Sequence, residues 1–204
     1  MITIPALHAA DFATALAAGA IPLDLRLPAH FVREHIAGAI NVQFGKDNSA
    51  FFLPREQSYV IVTEPETAVP QLAAAGLDVQ GFLEGGMKAW LAAGQAVAEI
   101  EAVMVSELQA CLTAGHTVPV LDVREAHEFA AGHIAGAVSL PLGEIRRPAA
   151  ALDLTRPWLV ICSDEGRAST AVSLLRRLGC QQAALVLGGI AAWTAAGFPL
   201  ERVA

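Results

Sequence analysis

The chain has 204 residues, 54% hydrophobic and 16% charged, with a formal net charge of −7. That much apolar material fills one large or two small cores and excludes intrinsic disorder as the main state. The acidic balance, with a pI near 5.3, excludes a general nucleic-acid binder, which presents a basic face.

In chain order, the opening Met-Ile-Thr-Ile-Pro-Ala-Leu-His lacks a basic region leading into an apolar stretch, so no secretory signal is expected. Residues 24–42, DLRLPAHFVREHIAGAINV, return at 122–140 as DVREAHEFAAGHIAGAVSL. Asp24 answers to Asp122 and His35 to His133, both at an offset of 98. The apolar strand YVIVT (59–63) answers to WLVIC (158–162) at an offset of 99. LEGGMKAW (83–90) answers to LGGIAAW (187–193), with Gly85 on Gly188 and Trp90 on Trp193 at an offset of 103. Such self-similarity predicts two copies of one domain of about 100 residues. The domains are read as 1–97 and 98–204, joined near GQAVAEIEAV (94–103). The second copy has four more residues between its central strand and the next one. In the first copy, Pro65 and Pro70 interrupt the corresponding loop and helix.

In the second copy, Val105–Ala114 reads as a helix with Ser106 as its N-cap. Val118–Asp122 reads as a buried strand, and Glu125–Ala131 as a short helix ending at Gly132. Ala137–Ser139 and Trp158–Cys162 read as strands. A helix over Ala168–Leu178 ending at Gly179, a strand over Ala184–Leu187 and a helix over Ile190–Ala196 complete it. Alternating strands and helices with continuously apolar strands predict an α/β fold. Each domain is expected to be a mainly parallel sheet flanked by helices on both faces. Residues 179–200 carry no formal charge, but Gln181, Gln182, Gly188-Gly189 and Pro199 break the run. A spanning helix needs about 20 mostly apolar residues, so a cytoplasmic protein without membrane contact is expected. Three cysteines, Cys111, Cys162 and Cys180, are too few for a disulfide framework and fit a reducing compartment.

Ligands of open parallel sheets sit beyond the carboxyl ends of the strands. Cys162 stands there, opening the loop Ser163-Asp164-Glu165-Gly166-Arg167 before a helix. Loop N–H groups can converge on an anion. The helix N-terminus and the Arg167 guanidinium add positive potential. Together they are expected to favour a thiolate and lower the Cys162 pKa. His35 and His133 read as hydrogen-bonded structural residues. Asp122 and Arg124 read as a fold-holding polar pair, and Trp90 and Trp193 as packing residues. No Cys/His spacing suggests a metal.

Three segments together resemble the rhodanese family, and specifically tandem rhodanese-like sulfurtransferases: VLDVREAHEFAAGHIAGAVSLPL (120–142), LVICSDEGRAS (159–169) and LVLGGIAAWTAAGFPL (185–200). The resemblance implies a catalytic Cys162 in a Cys-x-x-Gly-x-Arg-Ser loop, with Arg167 on the family arginine. It implies that the main-chain N–H groups of Ser163, Asp164, Glu165 and Gly166 cradle the anionic sulfur. The family reaction moves a sulfane sulfur from a donor such as thiosulfate, mercaptopyruvate or a persulfide, through a cysteine persulfide, to a thiophilic acceptor. No cofactor or metal is implied. The partners are small sulfur donors and thiol acceptors, or a sulfur-carrier protein. Two positions depart from the pattern: Glu165 replaces the usual Gly, and Ala168 the usual Ser. Gly166 is then expected to supply the glycine-type backbone, and Asp164 and Glu165 to repel a dianionic donor. Arg146 and Arg147 could compensate for those charges. The first copy has Thr63 in place of Cys162 and Ala68 in place of Arg167, and is read as non-catalytic. Two rivals are a non-enzymatic sulfur-relay or binding module, and a cysteine-dependent phosphatase. The phosphatase needs five residues between Cys and Arg, and this loop has four.

Overall fold

Runs such as Val-Leu-Asp and Trp-Leu-Val-Ile are too short for helices and rich in branched side chains, and they form buried strands. A computed structural model describes residues 4–43, 52–62, 72, 76–145 and 152–203. The chain divides into two compact units, 1–99 and 100–204.

The first unit runs β1 (Ala6–Leu7), α1 (Ala9–Ala17), β2 (Ile21–Asp24), α2 (Pro28–Arg33), β3 (Ile40–Asn41), β4 (Ser58–Ile61), β5 (Asp78–Leu83) and α3 (Gly86–Ala92). Its sheet has the order β1-β5-β4-β2-β3, and all neighbouring strands are parallel. The second unit runs β6 (Ala102–Met104), α4 (Val105–Thr113), β7 (Val120–Asp122), α5 (Ala126–Ala131) and β8 (Val138–Ser139). After a 3-10 turn at Leu142–Glu144 come β9 (Trp158–Ile161), α6 (Gly166–Arg177), β10 (Ala183–Leu187) and α7 (Gly189–Ala195). Its order is β6-β10-β9-β7-β8, again all parallel. Strand for strand this is the same topology, so the internal repeat is a repeat of architecture. Both sheets are five-stranded α/β layers flanked by helices, as the alternation predicts.

Side chains alternate across each strand. In the second unit Val120, Ile161 and Val186 point to one face and pack with Val105 and Leu108 of α4 and Ile190 and Trp193 of α7. Helix α6 also packs on β9 and β10, and is buried from Ala168 through Leu175. That burial includes hydroxyls, two of which bond within the helix: Thr170 Oγ1 donates to the Gly166 carbonyl at 3.3 Å and Ser173 Oγ to the Ser169 carbonyl at 2.8 Å. Among the described residues no helix is long and apolar enough to cross a membrane.

The boundaries differ from the sequence reading in three informative places. Ser106 does not cap α4: Met104 holds the cap position, and the Glu107 carboxylate accepts its N–H at 2.6 Å. The sequence reading has no strand at Ala102–Met104, which pairs with Leu185–Leu187 at the sheet edge. Helix α6 starts at Gly166 rather than Ala168, which places Gly166 and Arg167 in its first turn. The predicted segments around Pro65 and Pro70 lie outside the described residues.

Candidate active site

Three polar devices hold the loops at the carboxyl edge of the second sheet. Asp122, at the end of β7, is buried and takes a double hydrogen bond from Arg124, whose Nη2 lies 2.7 Å from Oδ2. The same Nη2 donates to the Gly132 carbonyl at 2.7 Å, pulling the end of α5 inward. His133 stacks on Phe129 with ring centroids 3.8 Å apart. Its Nδ1 lies 3.0 Å from the Phe129 carbonyl. A carbonyl only accepts, so that nitrogen carries the hydrogen. Trp193 Nε1 donates to the Pro199 carbonyl at 2.9 Å. These side chains are structural, as expected.

Cys162 follows the last residue of β9. The Gly188-Gly189 turn before α7 clamps its loop. Ile190 N–H donates to the Cys162 carbonyl at 2.8 Å, and Ala191 N–H to that of Ser163 at 2.9 Å. Gly189 sits at φ +59, and a Cβ there would lie 2.3, 2.6 and 2.7 Å from the carbonyl oxygens of Asp164, Ser163 and Cys162. Only glycine lets the turn approach the loop this closely. The turn is therefore a buttress for the cysteine loop.

The loop residues are brought together, though not as a simple anion cradle. Ala168 N–H, in the first turn of α6, donates to Cys162 Sγ at 3.3 Å, and the Asp164 N–H also favours the thiolate. The N–H groups of Glu165 and Gly166 instead donate to Asp164 Oδ1, at 2.6 and 3.0 Å. The expected convergence of those two amides on sulfur is corrected: a neighbouring carboxylate takes them. The same Oδ1 lies 3.9 Å from Sγ.

The lowered thiol pKa is corrected as well. Cys162 is 0% exposed, and burial pushes its pKa up to about 12. The Ala168 N–H and the Arg167 charge pull the other way and lose, and the Asp164 charge adds to the rise. Desolvation disfavours the charged form, and two backbone bonds and a shared guanidinium do not offset it.

Glu165 has φ −152, outside the left-handed region, and among the described residues no non-glycine has a positive φ. Gly166 is an ordinary first helical residue. The loop backbone thus needs glycine at neither position. The Glu165 side chain turns to the clamp, and its Oε1 accepts the Gly188 N–H at 2.8 Å.

Arg167 meets a residue that sequence reasoning missed. Its Nη1 donates to Glu128 Oε2 at 2.6 Å and its Nη2 to Glu128 Oε1 at 2.8 Å. The same Nη2 donates to Ser163 Oγ at 2.6 Å, and that hydroxyl donates to Glu128 Oε1 at 3.1 Å. The Arg167 hydrogen bond above all, opposed by desolvation, holds the Glu128 carboxyl down at about 2. A clue existed: at the offset of 98, Glu128 falls on His30. The two copies thus differ there just as they differ at Arg167 and Ala68. Thr63, Ala68, Arg146 and Arg147 lie outside the described residues.

Away from the loop, a cavity of about 480 Å³ opens among the first residues of the second sheet's strands, lined by Glu101, Val118, Leu159, Arg176 and Gln182. Its lining does not include the cysteine loop.

The family model for the rhodanese-like domain matches twice, at residues 8–93 and 104–196. YqhL of Bacillus subtilis, an uncharacterized protein, is 32% identical over 74 residues, covering 36% of this chain and 59% of YqhL. YrkF of the same organism, provisionally named a sulfur carrier protein, is 33% identical over 75 residues, covering 37% and 40%. This chain therefore spans about half the length of the curated relatives it matches. A rhodanese-related protein of Thermoplasma volcanium is 32% identical, covers 50% of this chain and 97% of that one, and has a TM-score of 0.45. A thiosulfate sulfurtransferase of Pseudomonas aeruginosa covers 98% of this chain and 44% of its own at 24% identity, with a TM-score of 0.41. With both halves matched, the chain belongs to the rhodanese family, as a tandem pair of rhodanese-like domains.

Proposed function

We propose that the chain is a sulfurtransferase in which Cys162 carries the sulfur and the first domain, without a cysteine, is non-catalytic. The observation that carries this reading is the setting of Cys162. Its sulfur takes an N–H of the first turn of α6, at the carboxyl edge of a parallel sheet, beside Arg167. The family match and the name of the YrkF relative agree with it.

The reaction balances without a cofactor. The Cys162 thiol attacks the outer sulfur of a hydropersulfide donor, the donor's sulfur–sulfur bond breaks, and its electron pair leaves with the inner sulfur. That sulfur takes the thiol proton, and Cys162 is left as a persulfide. An acceptor thiol then attacks the outer sulfur, becomes the new persulfide, and restores the Cys162 thiol. With thiosulfate as donor the leaving group is sulfite. Such a covalent intermediate gives ping-pong kinetics.

The site's charge bears on the donor. Arg167 is shared with Glu128, and Asp164 stands beside the sulfur. A dianion such as thiosulfate meets this as like charge. Hydropersulfides, with one negative charge or none at the transferred sulfur, are the proposed donors. Fast thiosulfate:cyanide turnover with a low KM would discard that preference.

Burial of the thiol favours a second reading, in which a partner protein opens the loop and the chain relays sulfur rather than turning over free substrates. A phosphatase is disfavoured, because Arg167 already serves a carboxylate and the Cys-to-Arg spacing is one residue short.

The test is intact mass after incubation with thiosulfate, mercaptopyruvate or glutathione persulfide. One added sulfur is expected on the wild type, on Cys111→Ser and on Cys180→Ser, and none on Cys162→Ser. Turnover with free thiol acceptors marks an enzyme, and loading without turnover marks a relay. Sulfur on the Cys162→Ser protein overturns the proposal.

A further inference from the structure

Asp164 Oδ1 already occupies the two loop amides that the sulfur-transfer reading assigns to a transferred sulfur. It holds the Glu165 and Gly166 N–H groups at 2.6 and 3.0 Å and lies 3.9 Å from Cys162 Sγ. A second sulfur bonded to Sγ lies about 2.05 Å from it. Pointed at the oxygen that those amides hold, 3.9 Å from Sγ, it would stop about 1.9 Å short of it. Non-bonded heavy atoms rest at roughly 3.5 Å. A sulfur pointed that way and the carboxylate exclude each other.

We infer that Asp164 is an internal competitor for the loop's anion-binding amides: it fills them in the resting protein and must swing out before Cys162 holds a persulfide there. The inference rests on the sulfur-transfer reading of Cys162 and adds a gate to it. Two charge-assisted hydrogen bonds break when Asp164 leaves, and the arriving sulfur regains those donors. The gate therefore opens for a ligand that brings its own acceptor to the same two N–H groups. The Asp164 charge also adds to what burial does in keeping Cys162 protonated. Removing a carboxylate 3.9 Å from Sγ shifts the balance at Cys162 toward thiolate.

The experiment is iodoacetamide labelling of the full chain across pH, read cysteine by cysteine by mass spectrometry, beside sulfur loading from thiosulfate. Wild type, Asp164→Ala and Asp164→Asn are compared. Asp164→Ala is expected to label Cys162 at least about tenfold faster at pH 8, one unit of pKa or more, with Cys111 labelling unchanged. Thiosulfate loading is expected to rise by a similar factor. Asp164→Asn keeps an acceptor for the two amides without the charge, guards the fold, and is expected between the two. Equal Cys162 labelling in all three proteins overturns the gate, whatever the loading. Faster labelling with unchanged loading overturns its control of the donor. Faster labelling with no sulfur added by any donor overturns the sulfur-transfer reading instead.

Discussion

The two units carry the same parts in the same order and differ in what those parts press against. In each, an Arg closes on a buried Asp and reaches a carbonyl eight residues on: Arg26 on Asp24 and Glu34, Arg124 on Asp122 and Gly132. A His stacks on the aromatic ring four residues earlier, His35 on Phe31 and His133 on Phe129. A Trp indole donates to a carbonyl six residues ahead, from Trp90 to Ala96 and from Trp193 to Pro199. Both Gly-Gly turns begin in the left-handed region. A Cβ on Gly189 would collide with three loop carbonyls, and the stretch of the first unit that answers to that loop, residues 63–68, lies outside the described residues. The scaffold is common to both units. The cysteine and the Glu128–Arg167 pair distinguish the second, since the first has Thr63, His30 and Ala68 at those positions.

That contrast can be broken most forcefully at the two turns. Gly189→Ala is expected to displace the cysteine loop and cut sulfur loading by about 100-fold, the scale of a roughly 1 Å misplacement. Gly86→Ala, at φ +56 in the domain without a cysteine, is expected to cost about 1–2 kcal/mol of backbone strain and to leave loading intact. Equal loading in the two variants would remove the special role of the Gly189 turn.

Next in size are the buried ion pairs. Arg124→Ala strands a buried carboxylate and is expected to cost about 3–5 kcal/mol, read from urea melts. Arg26→Ala is expected to cost less, because the Arg26 side chain is 16% exposed against 7% for Arg124. The reverse order would mean that the pairs do unequal work for reasons other than burial.

The smallest effect is on pH. Glu128 titrates near 2 in the folded chain against an ordinary 4.5. It therefore stabilises fully above pH 4.5, and the contribution fades as pH falls from 4.5 toward 2. Glu128→Gln is expected to remove that part of the acid dependence, and replacing His30, its counterpart in the first unit, is not. Identical acid melts for wild type and Glu128→Gln would sever Glu128 from the loop's stability.

Much of this was legible because the chain is written twice. The repeat offsets gave the element order, and apolar runs such as WLVIC gave the sheet and the place of Cys162. Short-range geometry was less visible. Ser106 looks like a cap, but Met104 precedes it and Glu107 reaches back to the earlier amide. The Glu128–Arg167 pair spans 39 residues, and no local pattern announces it. The thiol's protonation depends on complete burial and on an acceptor two residues away, and both follow from how the loop packs. Residue identity fixed the charges around Cys162 but not which amides they would claim.

Each unit also ends on itself. His35 exchanges main-chain hydrogen bonds with Ala98, and His133 with Glu201. The tail of each repeat is thus stitched to the histidine corner of its own sheet, and the stitch needs nothing from the nucleophile loop. The duplicated piece is a self-closing cassette. One cassette can lack a cysteine without loosening its seam, so closure of the repeat is set apart from its chemistry.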